Sequence, residues 1–287
     1  MRLGISPFAS TRDGALQLSQ RALEGGLQTL WLGDGLLVNP DFPGWSGAFE
    51  PFTELAWLAG RFPSAALGLT AAVLPLRDMA WLVKQAATLD HLTEGRFVLA
   101  VAPGFWEHEL RWRGIDFADR GAAFAESLAA LRAGFAGEAF AGRWTHFPAE
   151  GRLAPVPFTR GGPPLWLAGG APTMQRALQA GLPFQVSRVS PDALAPVAKK
   201  WFDGGGSLLG VRARIEVADA VPQGEGVAWN ALAGPPAYLA EQLAGFAELG
   251  VADVSIVPGQ GDDASLRTVD ALAEFVVPTL RASGIVA

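Results

Sequence analysis

Three segments combine residue types that could do chemistry, and each follows an apolar run. Asp34 sits between two glycines at the end of LWLGDG (30–35). From Gly95 to Arg120 the chain reads GRFVLAVAPGFWEHELRWRGIDFADR. Here an apolar stretch stops at Ala102-Pro103-Gly104 and gives way to Phe105 and Trp106, then Glu107, His108 and Glu109, and a G-x-D-F-x-x-R run ending at Arg120. Such a sequence reads either as the mouth of an active site or as an ordinary strand-loop-helix crossover. The third segment, Gly169-Gly170-Ala171-Pro172, places two glycines ahead of a proline suited to the first turn of a helix. Backbone N–H groups there would be free to face an anion such as phosphate, unless the glycines serve only to make the turn.

The remaining polar residues offer less. His91 lies in LDHLTEGR and reads as structural. His108 with its two glutamates is either an acid-base or metal cluster or a solvated helix face, and no companion ligand pair has metal spacing. His146 stands alone. No G-x-S-x-G elbow, P-loop or H-E-x-x-H pattern occurs, and with no cysteine there is no thiolate nucleophile or disulfide.

These segments must be held by a scaffold, and the apolar runs define it. They are Leu3–Phe8, Thr29–Gly33, Ala65–Val73, Phe97–Ala102, Pro164–Ala168, Phe184–Ser187, Val211–Val217 and Asp253–Val257. Most are continuous rather than alternating, as parallel strands buried on both faces require. Helical spacing lies between them: Ala15, Leu18, Ala22 and Leu23; Leu82, Ala86 and Leu89; Phe124, Leu128, Leu131 and Phe135; Leu239, Leu243 and Phe246. The last of these opens at Gly234-Pro235-Pro236 and closes at Gly250, as helix termini favour. Eight alternations predict a single (β/α)8 TIM-barrel domain over 1–287. A doubly wound sheet is the alternative, but no G-x-G-x-x-G turn follows the first run. The proline- and glycine-rich stretch 137–162 reads either as a crossover folding over the barrel mouth or as a solvated loop. In a barrel with a phosphate-type turn and few reactive side chains, a cofactor is expected to do the chemistry.

Composition narrows the partners. Half of the 287 residues are hydrophobic and 17% charged, enough apolar material for one large core. A net charge of −6 argues against nucleic acid or an anionic membrane, which call for a basic face. The start, MRLGISPF, reads as a strand rather than a signal peptide, and no run reaches the ~18 apolar residues of a membrane span. A soluble, cytoplasmic protein acting on a small molecule is expected.

Six segments carry a family resemblance: LWLGD (30–34), LGLTAAVLPLRDM (67–79), LDHLTEGRF (89–97), the segment from Gly95 through GIDFADR, PPLWLAGGAP (163–172) and GPPAYLAEQLAGFAELGV (234–251). Taken together, in this order, they resemble the bacterial luciferase-like monooxygenases. The resemblance implies a TIM barrel holding FMN, or alternatively the deazaflavin coenzyme F-420, and oxidising or reducing a small, apolar organic substrate. It places the flavin ring against the third and fourth strand ends, with a non-proline cis-peptide bulge at Leu69, Thr70 and Ala71. Asp34, Ala102 and Gly104 join the cofactor contacts, and the cofactor phosphate falls at Gly169, Gly170 and Ala171. Trp45, Phe49, Phe105 and Trp106 are candidate pocket walls, with core or dimer packing as the other reading. Glu109 and Arg120 are candidate anchors, or else an internal ion pair. Family members are often homodimers.

The chain also departs from the pattern. Gly35 stands where many members have histidine, Ala102-Pro103-Gly104 replaces a glycine-rich strand end, and Leu182-Pro183-Phe184 replaces a widespread Asp-Gly-Trp beside the expected phosphate site. These changes motivate a second reading: a non-catalytic barrel that binds a flavin or apolar ligand, or scaffolds a partner subunit.

Overall fold

The computed structural model describes residues 1–38, 49–147, 152–187, 190–222, 232–259 and 261–286. All eight expected strands are present: β1 (Arg2–Ile5), β2 (Thr29–Leu32), β3 (Ala66–Val73), β4 (Phe97–Ala102), then, after a small hairpin of β5 (Phe140–Ala141) and β6 (His146–Phe147), β7 (Leu165–Ala168), β8 (Phe184–Ser187), β9 (Leu209–Val217) and, after the short β10 (Leu232–Gly234), β11 (Val251–Pro258). The parallel order β1-β2-β3-β4-β7-β8-β9-β11 closes through the β1–β11 and β8–β9 pairings into an eight-stranded barrel. β10 adds to β9 beyond the point where β8 ends.

The helices begin and end where local chemistry directs. In α1 (Arg12–Glu24), Thr11 accepts the Gly14 N–H. In α2 (Pro51–Arg61) Glu50 accepts from Thr53, and in α3 (Met79–Leu92) Asp78 accepts from Trp81. Each cap satisfies an N–H that the first helical turn leaves without a partner. The short α4 (Glu107–Trp112) precedes α5 (Arg120–Ala136), and α6 (Ala171–Ala180) precedes α7 (Pro191–Asp203). α8 (Pro236–Glu248) starts on its proline, and α9 (Asp262–Ala271) leads through a π-helical turn at Leu272–Val276 into α10 (Val277–Ala282). Pro278 has no N–H for the carbonyl one turn earlier, which accounts for the widened turn just before it. None of the described helices is long and apolar enough to cross a membrane.

The chain divides into two compact units, one built mainly from Met1–Leu32 and Leu167–Ala287, the other from Gly33–Leu37 and Phe49–Trp166. In the first, the strands alternate between two different faces. Leu3, Ile5, Val211, Ala213, Ile215, Val254 and Ile256 are all buried, and β9 and β11 pack against helices α8 and α9. The opposite face carries Gly4, Ser6, Arg212, Arg214, Asp253 and Ser255, which the period of two places together. Gly4 is required on that face, because a Cβ there would lie 2.6 Å from the Trp31 indole.

In the second unit, β3 and β4 pair from Leu67↔Phe97 to Val73↔Ala102, with a register shift between Leu69 and Ala72. The peptide Thr70–Ala71 within that shift is cis, where the family resemblance places it. Within 137–162, of which 148–151 lie outside the described residues, Trp144 packs against the cluster of Val73, Leu76 and Leu110 beside the end of β3. The hairpin is held by the Glu126 carboxylate of α5, which accepts from the amides of Arg143, Trp144 and Thr145. The later part of the stretch is tied to α3, where Asp90 accepts from Thr159, Lys84 donates to the Ala154 carbonyl and His91 meets the Val156 carbonyl. Thus His91 is structural, as its sequence context suggests.

Candidate active site

In the second unit the candidate cofactor residues converge at the ends of β3 and β4. Leu69 and Thr70 are buried, Ala71 half-buried, and Ala102 and Gly104 half-exposed beside them. Gly104 has φ +82°, and a Cβ there would lie 2.9 Å from the Val73 side chain, so the turn after β4 takes glycine for both reasons.

Asp34 does not present its carboxylate to a ligand. It accepts from the Val73 amide at 2.9 Å and from two nitrogens of the Arg77 guanidinium at 2.8 and 2.6 Å. Its side chain is only 4% exposed, and that of Arg77 16%. Arg77 also donates to Glu50 at 3.0 Å and lies over the Phe52 ring at 4.8 Å. Burial pushes the Glu50 carboxyl up, but hydrogen bonds from Thr53 and the nearby Arg77 outweigh it and hold Glu50 below the usual carboxylate range. The resulting clamp ties the loop after β2 and the cap of α2 to the last residue of β3. Neither Arg77 nor Glu50 stood out in the sequence. LPLRD and FEPF look like ordinary helix starts, and the partnership spans 27 residues.

Glu109 behaves similarly. It is buried on α4 and accepts from the Leu36 and Leu37 amides at 2.6 and 3.0 Å, latching the loop after β2. Arg120 donates to the Phe117 carbonyl at 2.7 Å and stacks on the Phe117 ring at 3.8 Å. The two residues therefore form no ion pair with each other, and each is engaged locally. Phe105 and Phe49 are exposed, at 60% and 48%, while Trp106 is half-buried with its ring 5.6 Å from His108. Trp45 lies outside the described residues. His108 is exposed on α4, and no group of three His, Cys, Asp or Glu side chains able to hold a metal ion occurs among the described residues.

Gly169, Gly170 and Ala171 belong to the first unit. Gly170 is the residue before α6 and makes no side-chain cap, so the first N–H groups of a ten-residue helix remain available there. Gly170 is exposed, and a Cβ added to it would meet nothing within 4 Å. Gly169 has φ +154°, and a Cβ on it would press on the Thr173 hydroxyl at 2.7 Å. The turn is thus closed tightly on one side and open on the other, which fits an anionic group at the helix N-terminus. The substitution at 182–184 leaves this turn alone. Phe184 is fully buried on the helix-facing side of β8, its ring 5.5 Å from Trp201 of α7. Gly35 is exposed.

The sequence also gave no prominence to the polar face of the first unit. Asp253 is fully buried, 3.2 Å from Arg2. Burial raises its carboxyl to about 6, with Arg2 and the Trp31 indole only partly opposing this. Ser6 and Ser255 are fully buried, and their hydroxyls find no hydrogen-bond partner among the described residues. A cue was available in the alternation of VRARIEV, which puts Arg212 and Arg214 on one face of an otherwise apolar strand.

Together these features define a parallel (β/α)8 barrel, a fold whose enzymes bind ligands at the C-terminal strand ends. More particularly, the chain belongs to the luciferase-like monooxygenase family, whose model matches residues 6–205. It is 28% identical over 179 residues to the oxygenase component of the flavin-dependent trigonelline monooxygenase of Acinetobacter baylyi, an alignment covering 61% of this chain and 48% of that protein. The chain thus matches about half the length of that relative. Two solved structures share the fold. One is the oxygenating constituent of 3,6-diketocamphane monooxygenase from Pseudomonas putida in complex with FMN (TM-score 0.76, 15% identity, 97% of this chain and 98% of that one). The other is the coenzyme F420-dependent tetrahydromethanopterin reductase of Methanopyrus kandleri (TM-score 0.77, 12% identity, 97% and 99%).

Proposed function

We propose that this chain is a flavin-dependent oxidoreductase that binds FMN, or alternatively the deazaflavin coenzyme, and acts on a small organic molecule, with 1–287 working as one functional domain. The observation that carries this reading is the uncapped start of α6, with Gly170 open to an approaching group. An anion seated there accepts several N–H bonds at the positive end of a helix dipole. Of the expected phosphate residues Gly169, Gly170 and Ala171, the amides of Gly170 and Ala171 would hold the group, while the Gly169 N–H donates to the Gln185 carbonyl at 3.1 Å and shapes the turn. The strand ends at Thr70–Ala71 and Ala102–Gly104 carry little side-chain bulk, which suits a planar ring. When bound, the flavin supplies the electrons, activating oxygen in the case of FMN or passing hydride with either cofactor. The protein's own part is to orient and to keep water out. The Asp34–Arg77 clamp and the Glu109 latch hold the loops beside that ring, and Phe105 and Trp106 contribute apolar cover.

Absorbance and fluorescence titrations with FMN, riboflavin and the deazaflavin coenzyme test this reading, together with Gly170→Asp. The aspartate has room and the right position to cap α6, so thermal stability is expected to hold or rise. Its charge opposes a phosphate at the same N–H groups, so affinity for FMN should fall at least tenfold while that for riboflavin stays unchanged. Unaltered FMN affinity in the variant refutes the phosphate assignment. Failure of the native protein to bind either cofactor refutes the oxidoreductase reading.

A further inference from the structure

The polar face of the first unit is arranged across strands in a definite register. Parallel partners share a face, and Arg212 is paired with Ser187 on one side and Ser255 on the other, while Ser255 is paired with Gly4. One step toward the strand ends, Arg214 is paired with Val257, and Ser6 follows β1 with its amide bonded to the Ile256 carbonyl at 2.7 Å. Two guanidiniums two residues apart on β9 are therefore flanked by two serines, and register partners on adjacent strands lie about 5 Å apart.

The bonding of this group is incomplete. Arg214 donates to the Gly259 carbonyl at 3.3 Å, and its Nε is buried without a hydrogen-bond partner among the described residues. Arg214 enters no ion pair among those residues. Arg212 sits over the Phe8 ring at 5.8 Å. The Ser6 and Ser255 hydroxyls are fully enclosed and also unpartnered. Of the carboxylates on this face, Asp253 lies one step deeper, beside Arg2, and Glu216 lies one step beyond Arg214. Buried hydroxyls and a buried guanidinium nitrogen in one patch are the donor set that an anionic oxygen group satisfies, with geometric preference from the planar guanidinium.

We propose that Arg214 and Arg212, with Ser6 and Ser255, form a recognition site for a carboxylate on the substrate, so that this barrel acts on a small organic acid rather than on a neutral apolar molecule. The assignment rests on the oxidoreductase reading for the reaction, while recognition of the acid is a binding event that can be measured without it. Phe8, half-buried beside Arg212, supplies apolar surface for the body of such an acid. A flavin phosphate carries the same kind of oxygen group, so the two sources must be separated.

The test is calorimetric titration of the protein with benzoate and with benzyl alcohol, its neutral analogue, in the flavin-free form and again with saturating oxidised FMN. Benzoate is expected to bind at least tenfold more tightly than benzyl alcohol in one or both forms. Arg214→Gln should erase that preference. Ser255→Ala removes a hydroxyl with no protein partner, so it should leave the melting temperature unchanged or higher while weakening benzoate. Affinities for FMN and riboflavin should be unaffected in both variants. Equal binding of the two probes, no saturable binding of benzoate in either form, or native benzoate affinity in Arg214→Gln each overturns the proposal. So does a loss of FMN but not riboflavin affinity in Arg214→Gln, which would assign the site to the cofactor phosphate. Failure of flavin to bind the native protein would remove the oxidoreductase reading while the flavin-free titration still judged the acid site.

Discussion

Replacing Arg77 with methionine removes the guanidinium that holds Asp34 and leaves a carboxylate only 4% exposed with a single remaining bond, from the Val73 amide. Breaking one side of a buried ion pair costs about 3–5 kcal/mol, most of it from the stranded charge. The pair here is partly relieved by the 45% exposed Glu50, and Arg77 is itself 16% exposed, so about 3 kcal/mol is expected for Arg77→Met. Asp34→Asn keeps an acceptor for the Val73 amide and leaves Arg77 paired with Glu50, so it should cost less, about 1–2 kcal/mol. The double variant then tests the reasoning. Without a buried charge to strand, it should be more stable than the sum of the single losses implies, with a coupling of about 1–3 kcal/mol. Urea unfolding at 25 °C, followed by tryptophan fluorescence and circular dichroism together, measures all four proteins. A loss under about 1 kcal/mol for Arg77→Met, or strict additivity in the double variant, would refute the assignment of Asp34 as a clamp held by Arg77. Because the clamp holds the last residue of β3, the same variants should also weaken FMN binding without altering the preference for FMN over riboflavin.

The other expectations concern the second latch and the response to pH. Glu109→Ala should destabilise by about 1–3 kcal/mol and speed hydrogen exchange at the Leu36 and Leu37 amides, whereas Glu109→Gln keeps an oxygen for both and should stay within about 1 kcal/mol. A raised KM in the glutamine variant with native exchange rates would instead make Glu109 a substrate anchor. Burial lifts the Glu54 carboxyl from its usual 4.5 to about 7. A raised folded-state value means the folded protein binds that proton more tightly, so the stabilisation is complete below 4.5 and is lost as pH rises through 7. Glu54→Gln should therefore gain about 2 kcal/mol relative to the native protein at pH 8, allowing for partial exposure, and its melting temperature should fall less between pH 4.5 and 7. An unchanged pH profile would show that Glu54 titrates as it does in the unfolded chain.

The strands were legible because parallel strands buried on both faces leave continuous apolar runs, and even the weakest of these, Phe184–Ser187, is β8. The four helices with clean spacing were legible for the same reason. α7 was not, since prolines at 191 and 196 interrupt its pattern, and neither were α9 and α10, where the π-helical turn shifts the apolar face. The hairpin at 140–147 has strands of two residues each and is held by one carboxylate from α5, so no periodic signal could reveal it. At the candidate site, the residue types and turns were visible but the bonding was not. Asp34 and Glu109 stand where a ligand contact would be expected, yet their partners are a guanidinium 43 residues away and two amides 73 and 72 residues away. Spacing along the chain carries no information about such pairings.

That outcome bears on how the barrel can work. Asp34 after β2 and Glu109 after β4 are committed to holding backbone, so they position the loops. A carboxylate whose oxygens already accept two or three protein donors has little left to offer a substrate. Under the proposed function those strand ends would offer a ligand shape: a bulge at Thr70–Ala71, small residues at Ala102 and Gly104, and the neighbouring aromatics Phe105 and Trp106. Shape without a reactive side chain can bind and orient, and chemistry at such a site has to come from the bound group. The cationic face of β9 is the converse, since its two guanidiniums cannot deprotonate and so serve recognition rather than proton transfer. A barrel that keeps its carboxylates for scaffolding and its arginines for recognition is suited to a cofactor that does the redox work. It follows that Glu109→Gln and Asp34→Asn should alter binding and stability well before they alter the pH dependence of any turnover.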